Sequence, residues 1–286
     1  ETGAELVINF YELLTGMTYL VFRPSVPQIS VGHQYLFLHR DFEFPGKNGF
    51  HLWLLRLFTR LTCIGAREKL ALSFREMEDD EEAYVRVVPP LLRREVLSCE
   101  GTEGDYLHGY MVNSGFGENI LHWHSAHPEI PLHFFWDKQD EAEVCRVDDT
   151  LSFHQLDDVK FLRYMAGCKA YATTAGFESV CEAMYLGKPL LMVPSHIEQK
   201  CNAYDATEGC RMSSGRDSVP SGGSEASGGD KAPGRGGEAP CPAVASDRFD
   251  LDLLLHFADN EFVADKSFPD WARSADSVFL KELTFS

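Results

Sequence analysis

The sequence has no surplus of positive charge. Lys and Arg number 26 against 44 Asp and Glu, a formal net charge of −18. A chain that grips nucleic acid neutralises phosphates with Lys and Arg, so that class is excluded as a general activity. No apolar run approaches the roughly 18 residues that a membrane-spanning helix needs. No Cys-x-x-Cys pair occurs among the eight cysteines, and several lie inside apolar runs, as Cys168 and Cys181 do. They read as buried free thiols of a reducing compartment rather than zinc ligands or a disulfide framework. Gly-x-Ser-x-Gly and Walker-type phosphate loops are missing, and so is any short internal repeat. No secretory leader pattern opens the sequence. The expected location is therefore the cytoplasm, including the inner face of its membrane.

What is present is an ordinary globular composition, 44% hydrophobic and 24% charged, with strand-like and helix-like stretches in alternation. Leu6–Phe10, Gln28–Val31, Leu70–Phe74 and Val85–Val88 read as strands. Tyr11–Phe22 and the apolar stretch Phe50–Ile64 read as helical. The acidic run Glu76–Glu82 reads as a solvated loop. After Pro89-Pro90 the pattern restarts. Strands are expected at Tyr106–Val112, Pro131–Trp136, Leu151–Phe153, Ala170–Thr173 and Pro189–Val193. Helices are expected at Glu118–His127, Asp157–Ala166 and Phe177–Leu186. This is an α/β chain of two Rossmann-like lobes. The expected divisions are a partial N-terminal acceptor lobe (1–90), a linker (91–104), a C-terminal donor lobe (105–213), a disordered Gly/Ser/Pro-rich insertion (214–247), and closing helices (248–286) that complete the donor lobe and pack back on the first.

The chemistry concentrates in Ala172–Ala206. A strand ends at Thr173-Thr174, Ala175-Gly176 turns, and a helix begins at Phe177. Free amides and the positive end of the dipole suit that helix start to a phosphate, and Gly176 would allow close approach. Ser179 adds a hydroxyl in the first turn. Glu182 follows on the same face and can accept two ribose hydroxyls. After the next strand, a loop presents Glu198, Gln199 and Asn202 to a sugar.

This order resembles the donor-binding segment of two-lobed (GT-B) glycosyltransferases: Gly176, Ser179 at +3, Glu182 at +6, Gly-x-Pro at +11 to +13, then Gln-x-x-Asn-Ala. It is similar to the lipid-linked muramyl-peptide N-acetylglucosamine transferase of bacteria and to UDP-glucuronosyl- and plant glucosyltransferases. Residues 5–286 also resemble bacterial proteins described only as glycosyltransferases. The resemblance implies phosphate contacts at Gly176, Phe177 and Ser179, a ribose contact at Glu182, and donor-sugar contacts at Glu198 and Gln199. Thr174 stands where some relatives have His or Arg. Asn113, Ser114 and Gly115 would form a diphosphate-facing loop, and His154 and Gln155 would border the base.

The implied donor is a nucleotide sugar, by resemblance a UDP-sugar, used without metal or other cofactor. The acceptor would be a glycan, a lipid-linked compound or a small molecule. His33, in Gly32-His33-Gln34, is the candidate base for the acceptor hydroxyl, because imidazole titrates near neutrality. The competing reading of His33 is a loop histidine bonded to the backbone. A UDP-sugar epimerase and a non-catalytic nucleotide-sugar binder are the alternative functions.

Three other features read more plainly. The cluster His122, His124, His127 lacks the geometry of a metal site. Asp250-Leu251-Asp252 looks like a metal-binding pair but opens a helix, where Asp suits the dipole. The 50–64 helix is expected to pack on a sheet, with contact to a membrane as the other reading. Finally, the sequence begins at Glu1 without Met and enters a strand at once. An acceptor lobe of this architecture needs about six strands and about 150 residues. The expectation is a truncated front lobe, which binds nucleotide but transfers sugar poorly or not at all and is prone to association along an open sheet edge.

Overall fold

A computed structural model of the chain describes residues 3–46, 49–111, 114–138, 141–207 and 240–284. Two sheets organise it. The first holds β1 (Val7–Asn9), β2 (Gln28–Val31), β3 (Ala66–Leu72) and β4 (Val85–Val88), all parallel and in sequence order. Helix α1 (Leu13–Phe22) joins β1 to β2. A 3-10 turn (His33–Leu38) and α2 (Gly49–Thr62) join β2 to β3. The expected strand at Leu70–Phe74 thus begins earlier, at Ala66.

The second sheet has seven strands. They are β5 (Leu107–Met111), β6 (Leu132–Trp136), β7 (Val144–Arg146), β8 (Leu151–Gln155), β9 (Ala170–Thr173), β10 (Leu190–Met192) and β11 (Ala243–Ala245). Their order is β11-β10-β9-β5-β6-β8-β7, parallel except for β7. The order reverses between β5 and β9. In open α/β sheets ligands bind at such a switch point, beyond the carboxyl ends of the strands. Around this sheet lie α4 (Gly117–Ala126), α5 (Asp158–Gly167), α6 (Phe177–Tyr185), α7 (Ile197–Ala206) and α8 (Leu251–Asn260). The chain closes with α9 (Phe268–Arg273) and α10 (Ala275–Leu283).

Several expectations change. Residues 214–239 of the expected insertion lie outside the described residues, but 240–247 do not fit a disordered segment. Ala243–Ala245 forms β11 against β10, with Ala243 fully buried. Deleting through Asp247 would therefore remove a strand. The Pro242 carbonyl and small side chains pair with the sheet even though the composition promised no core. Glu198, Gln199 and Asn202 lie on α7 rather than on a loop. Asp250 caps α8, accepting a hydrogen bond from the Leu253 amide at 3.0 Å, as its position at a helix start suggests. Among the described residues no group of His, Cys, Asp and Glu is placed to hold a metal. Six cysteines (63, 99, 145, 168, 181 and 201) are free thiols, whereas Cys241 is disulfide-bonded, against the expectation of free thiols throughout.

Between the sheets, residues 91–104 include a one-turn helix, α3 (Arg94–Leu97), and dock on the second lobe. Lys188 is buried, and its ammonium donates to the carbonyls of Thr102 and Cys168. It ties the connection to the end of α5, where a cation also answers the helix dipole. Trp271 of α9 packs against cores of both lobes and donates its indole N–H to the Ser73 carbonyl at 3.2 Å. Val278, Phe279 and Leu283 of α10 cover Ile29, Val31, Leu70 and Val88 of the first sheet.

Helix α2 packs one face inward, as expected. Its opposite face leaves Phe50, Trp53, Leu54 and Phe58 exposed, beside exposed Leu14, Val21 and Phe22 of α1. The two helices meet closely: a Cβ on Gly16 would stand 2.0 Å from the Leu61 carbonyl oxygen. Among the described residues no helix is long and apolar enough to cross a membrane.

Candidate functional site

Strand β9 is wholly buried and delivers the chain to the switch point. Ala175 makes the turn at φ 65°, the left-handed region that costs an L-residue about 1–2 kcal/mol. The strained residue of the turn is thus Ala175. Gly176 is extended, with φ −68° and ψ 134°, and is the N-cap residue of α6. No side chain caps that end, so the first amides of α6 remain available to an anion. A Cβ on Gly176 would meet only the Ser179 hydroxyl, at 3.8 Å, so the approach is open there. Glu178 sits in the same turn and opposes an anion. The Ser179 hydroxyl donates back to the Gly176 carbonyl at 3.3 Å. Thr174 is buried with its hydroxyl unpartnered.

Glu182 lies one turn further along α6. Its side chain is 8% exposed and engaged at both oxygens: Arg93 Nε donates to Oε1 at 2.6 Å and Nη2 to Oε2 at 3.0 Å. The Arg93–Glu182 pair is absent from the sequence reading, because 89 residues separate its members.

On α7, Gln199 turns its carbonyl to the Ser195 amide and hydroxyl, at 2.9 and 2.8 Å, and so orders the β10–α7 connection. Glu198 reaches across to the first lobe and accepts from Gln34 at 2.8 Å. Asn202 is buried and donates to the Ala175 carbonyl at 3.0 Å, bracing the strained turn; its own carbonyl oxygen has no partner.

The base-side residues belong to a packed aromatic cluster. His154 is buried in β8, stacked on Phe135, with Nε2 3.4 Å from His133 Nδ1. Burial lowers its pKa to about 4. Gln155 donates to the Glu141 carbonyl at 2.6 Å. His108 of β5 stands in the same cluster, stacked on Tyr171, its pKa lowered by burial to about 3. Asn113 lies outside the described residues. Ser114 and Gly115 begin a 3-10 turn after β5, across the switch point from Gly176.

His33 also meets this site. It starts the turn after β2, is 2% exposed, and stacks on Phe177 at 3.9 Å with 17° between the planes. Phe37 and Phe74 flank the ring. Nδ1 lies 2.7 Å from the Leu72 carbonyl, so Nδ1 carries the proton and Nε2 the lone pair; Nε2 is buried, with the Asn202 side chain beside it. Desolvation lowers the His33 pKa to about 4, so it is neutral at pH 7. The backbone-bonded reading and the base reading of His33 thus describe two different nitrogens of one ring. The cleft beside Phe177, Glu178, Leu72 and Pro90 has a volume of about 80 Å³, below the roughly 300 Å³ at which ligand pockets begin.

The sequence matches the family described as Glycosyl transferase family 1 over residues 2–217. No curated protein gives a match. Among solved structures, the glycotransferase of kitacinnamycin shares 13% identity at a TM-score of 0.54, covering 98% of this chain and 77% of that one. Arabidopsis thaliana UGT89C1, complexed with UDP-L-rhamnose, shares 14% identity at 0.55, with coverages of 97% and 67%. The spinosyn rhamnosyltransferase SpnG, complexed with thymidine diphosphate, shares 11% at 0.51, with coverages of 97% and 73%. At these identities the likeness is one of fold.

Proposed function

This chain belongs to glycosyl transferase family 1, and from that premise we propose that it moves a sugar from a nucleotide-sugar donor bound where α6 begins. The carrying observation is the uncapped start of α6 at the switch between β5 and β9. The amides of Phe177 to Ser179 would hold the diphosphate, with Gly176 leaving room for it. As the sugar departs, charge grows on that leaving group. Preorganised amides stabilise it as a metal ion would, so no cofactor is invoked. Two neighbours of this fold were solved with UDP-L-rhamnose and with thymidine diphosphate, and we favour a UDP-sugar because Glu182 offers two acceptor oxygens to a ribose diol.

The donor does not fit while His33, Phe74 and Phe177 fill the gap between lobes. Binding therefore requires the lobes to part there. Glu198 and Gln199, at the start of α7, would then face the donor sugar.

The test is Glu182→Ala with UDP in a calorimeter. Loss of a hydrogen bond to a charged group costs about 1.5–3 kcal/mol, so UDP should bind at least tenfold more weakly, while the fold persists. Unchanged affinity would remove Glu182 from the donor site.

For the acceptor we favour a lipid-bearing compound at a membrane surface. The support is the exposed apolar face of α1 and α2, which carries Trp53 and three phenylalanines and is edged by Arg23 and Arg60. The chain should sediment with vesicles containing anionic lipid, and Trp53→Glu with Phe50→Glu should abolish that. Equal sedimentation of the double variant would exclude this face.

A further inference from the structure

Resting on the reading of Glu182 as the ribose partner, we infer that Arg93 sets the nucleotide affinity by competing with the ribose diol for one carboxylate. The geometry is that of a guanidinium fork meeting a carboxylate with two parallel bonds, at 2.6 and 3.0 Å. A cis-diol approaches a carboxylate in the same two-point manner, one hydroxyl to each oxygen. The face that Arg93 covers can therefore be used once. Glu182 is buried and can offer no second face to a ribose.

Arg93 has somewhere else to go. Its Nη1 already stands 3.7 Å from Asp158, the first residue of α5, whose side chain is almost fully exposed. Glu95, on the same connection, also interacts with it favourably. One guanidinium thus lies between a buried carboxylate and an exposed one. Exchange to Asp158 leaves no charge stranded: Glu182 takes two hydroxyl donors, and Arg93 stays paired at the surface. Arg93 is a positioning residue here; it acts through Glu182 and is given no contact with the donor.

The experiment measures binding of UDP and of 2′-deoxy-UDP to the full chain and to Arg93→Gln, Arg93→Lys, Glu182→Gln and the Arg93→Gln/Glu182→Gln double variant, with thermal melting as the check on folding. Arg93→Gln should tighten UDP at least fivefold and change 2′-deoxy-UDP less than twofold, since the deoxy nucleotide cannot make the two-point contact. Arg93→Lys keeps the charge without the fork and should fall between. In the Glu182→Gln background the Arg93 substitution should have no effect on either nucleotide. A merely structural pair would lower the melting temperature without changing the ratio between the nucleotides. If Arg93→Gln leaves UDP unchanged or weaker while Glu182→Gln still erases the preference for UDP, the competition is refuted and the ribose contact stands. If Glu182→Gln binds both nucleotides as the native chain does, the ribose reading itself fails.

Discussion

Between pH 8 and pH 5 the chain should lose about 4 kcal/mol of stability to two histidines alone. Burial lowers the pKa of His33 to about 4 and of His108 to about 3, from the ordinary 6.5. Both rings are therefore neutral in the native state, while the unfolded chain takes up their protons as pH drops below 6.5. That stability is complete above pH 6.5 and drains away as pH falls toward the native values. At pH 5 each ring accounts for about 2 kcal/mol, at about 1.4 kcal/mol per unit. Whole domains are stable by only about 5–15 kcal/mol, so the loss is a large share.

The surroundings explain why neither ring escapes. His33 is enclosed by Phe37, Phe74 and Phe177, with Glu198, Asn202 and Arg75 as its polar neighbours. His108 is enclosed by Phe135, Phe161 and Tyr171, with His133 and His154 beside it. Urea unfolding at the two pH values measures the effect. His108→Phe, which cannot titrate, should lose about 2 kcal/mol less than the native chain over this interval. Equal stability at pH 5 and pH 8, or an undiminished loss in His108→Phe, would contradict the assignment.

If His33 takes the acceptor's proton, as we propose, His33→Gln should lower turnover by about 10²–10⁴, the range for losing a positioned general base, and leave UDP affinity within about twofold. The bond from Nδ1–H to the Leu72 carbonyl fixes the tautomer and aims Nε2, the basic nitrogen, away from its own strand. That nitrogen is buried beside the Asn202 side chain. Under the proposed function it would become competent once the Phe177 ring moves off. Release of UDP from a UDP-sugar, with water or candidate acceptors, provides the assay. A folded His33→Gln protein with native turnover would assign the base elsewhere.

Much of this site was legible from local sequence. Gln28–Val31, Val85–Val88 and Ala170–Thr173 are strands at the residues expected, because short β-rich runs between turn residues carry their own signal. The start of α6 at Phe177 follows from Gly176 in the same way. What stayed hidden was non-local or weakly patterned. Helix α7 mixes Glu, Gln, Lys, Asn and Asp with few apolar residues, so its periodicity is faint and it passed for a loop. Strands β7 and β11 have three residues each, too few to show alternation, and β11 adjoins a Gly/Ser/Pro-rich stretch that drew the expectation of disorder over it. The placement of Phe177 on His33 and of Arg93 on Glu182 depends on how the lobes meet. No spacing rule encodes that. The turn falls at Ala175-Gly176 as read, but its left-handed residue is Ala175, which composition does not single out.

The packing of α10 on the first sheet bears on synthesis. Ile29, Val31, Leu70 and Val88 are finished as a core only by Val278, Phe279 and Leu283. A ribosome delivers the four strands before the covering helix, at about 5–20 residues per second. Through that interval a nascent chain with all of β1–β4 in hand still shows one apolar sheet face to the cell. The first sheet is thus translated well before the helix that seals its apolar face.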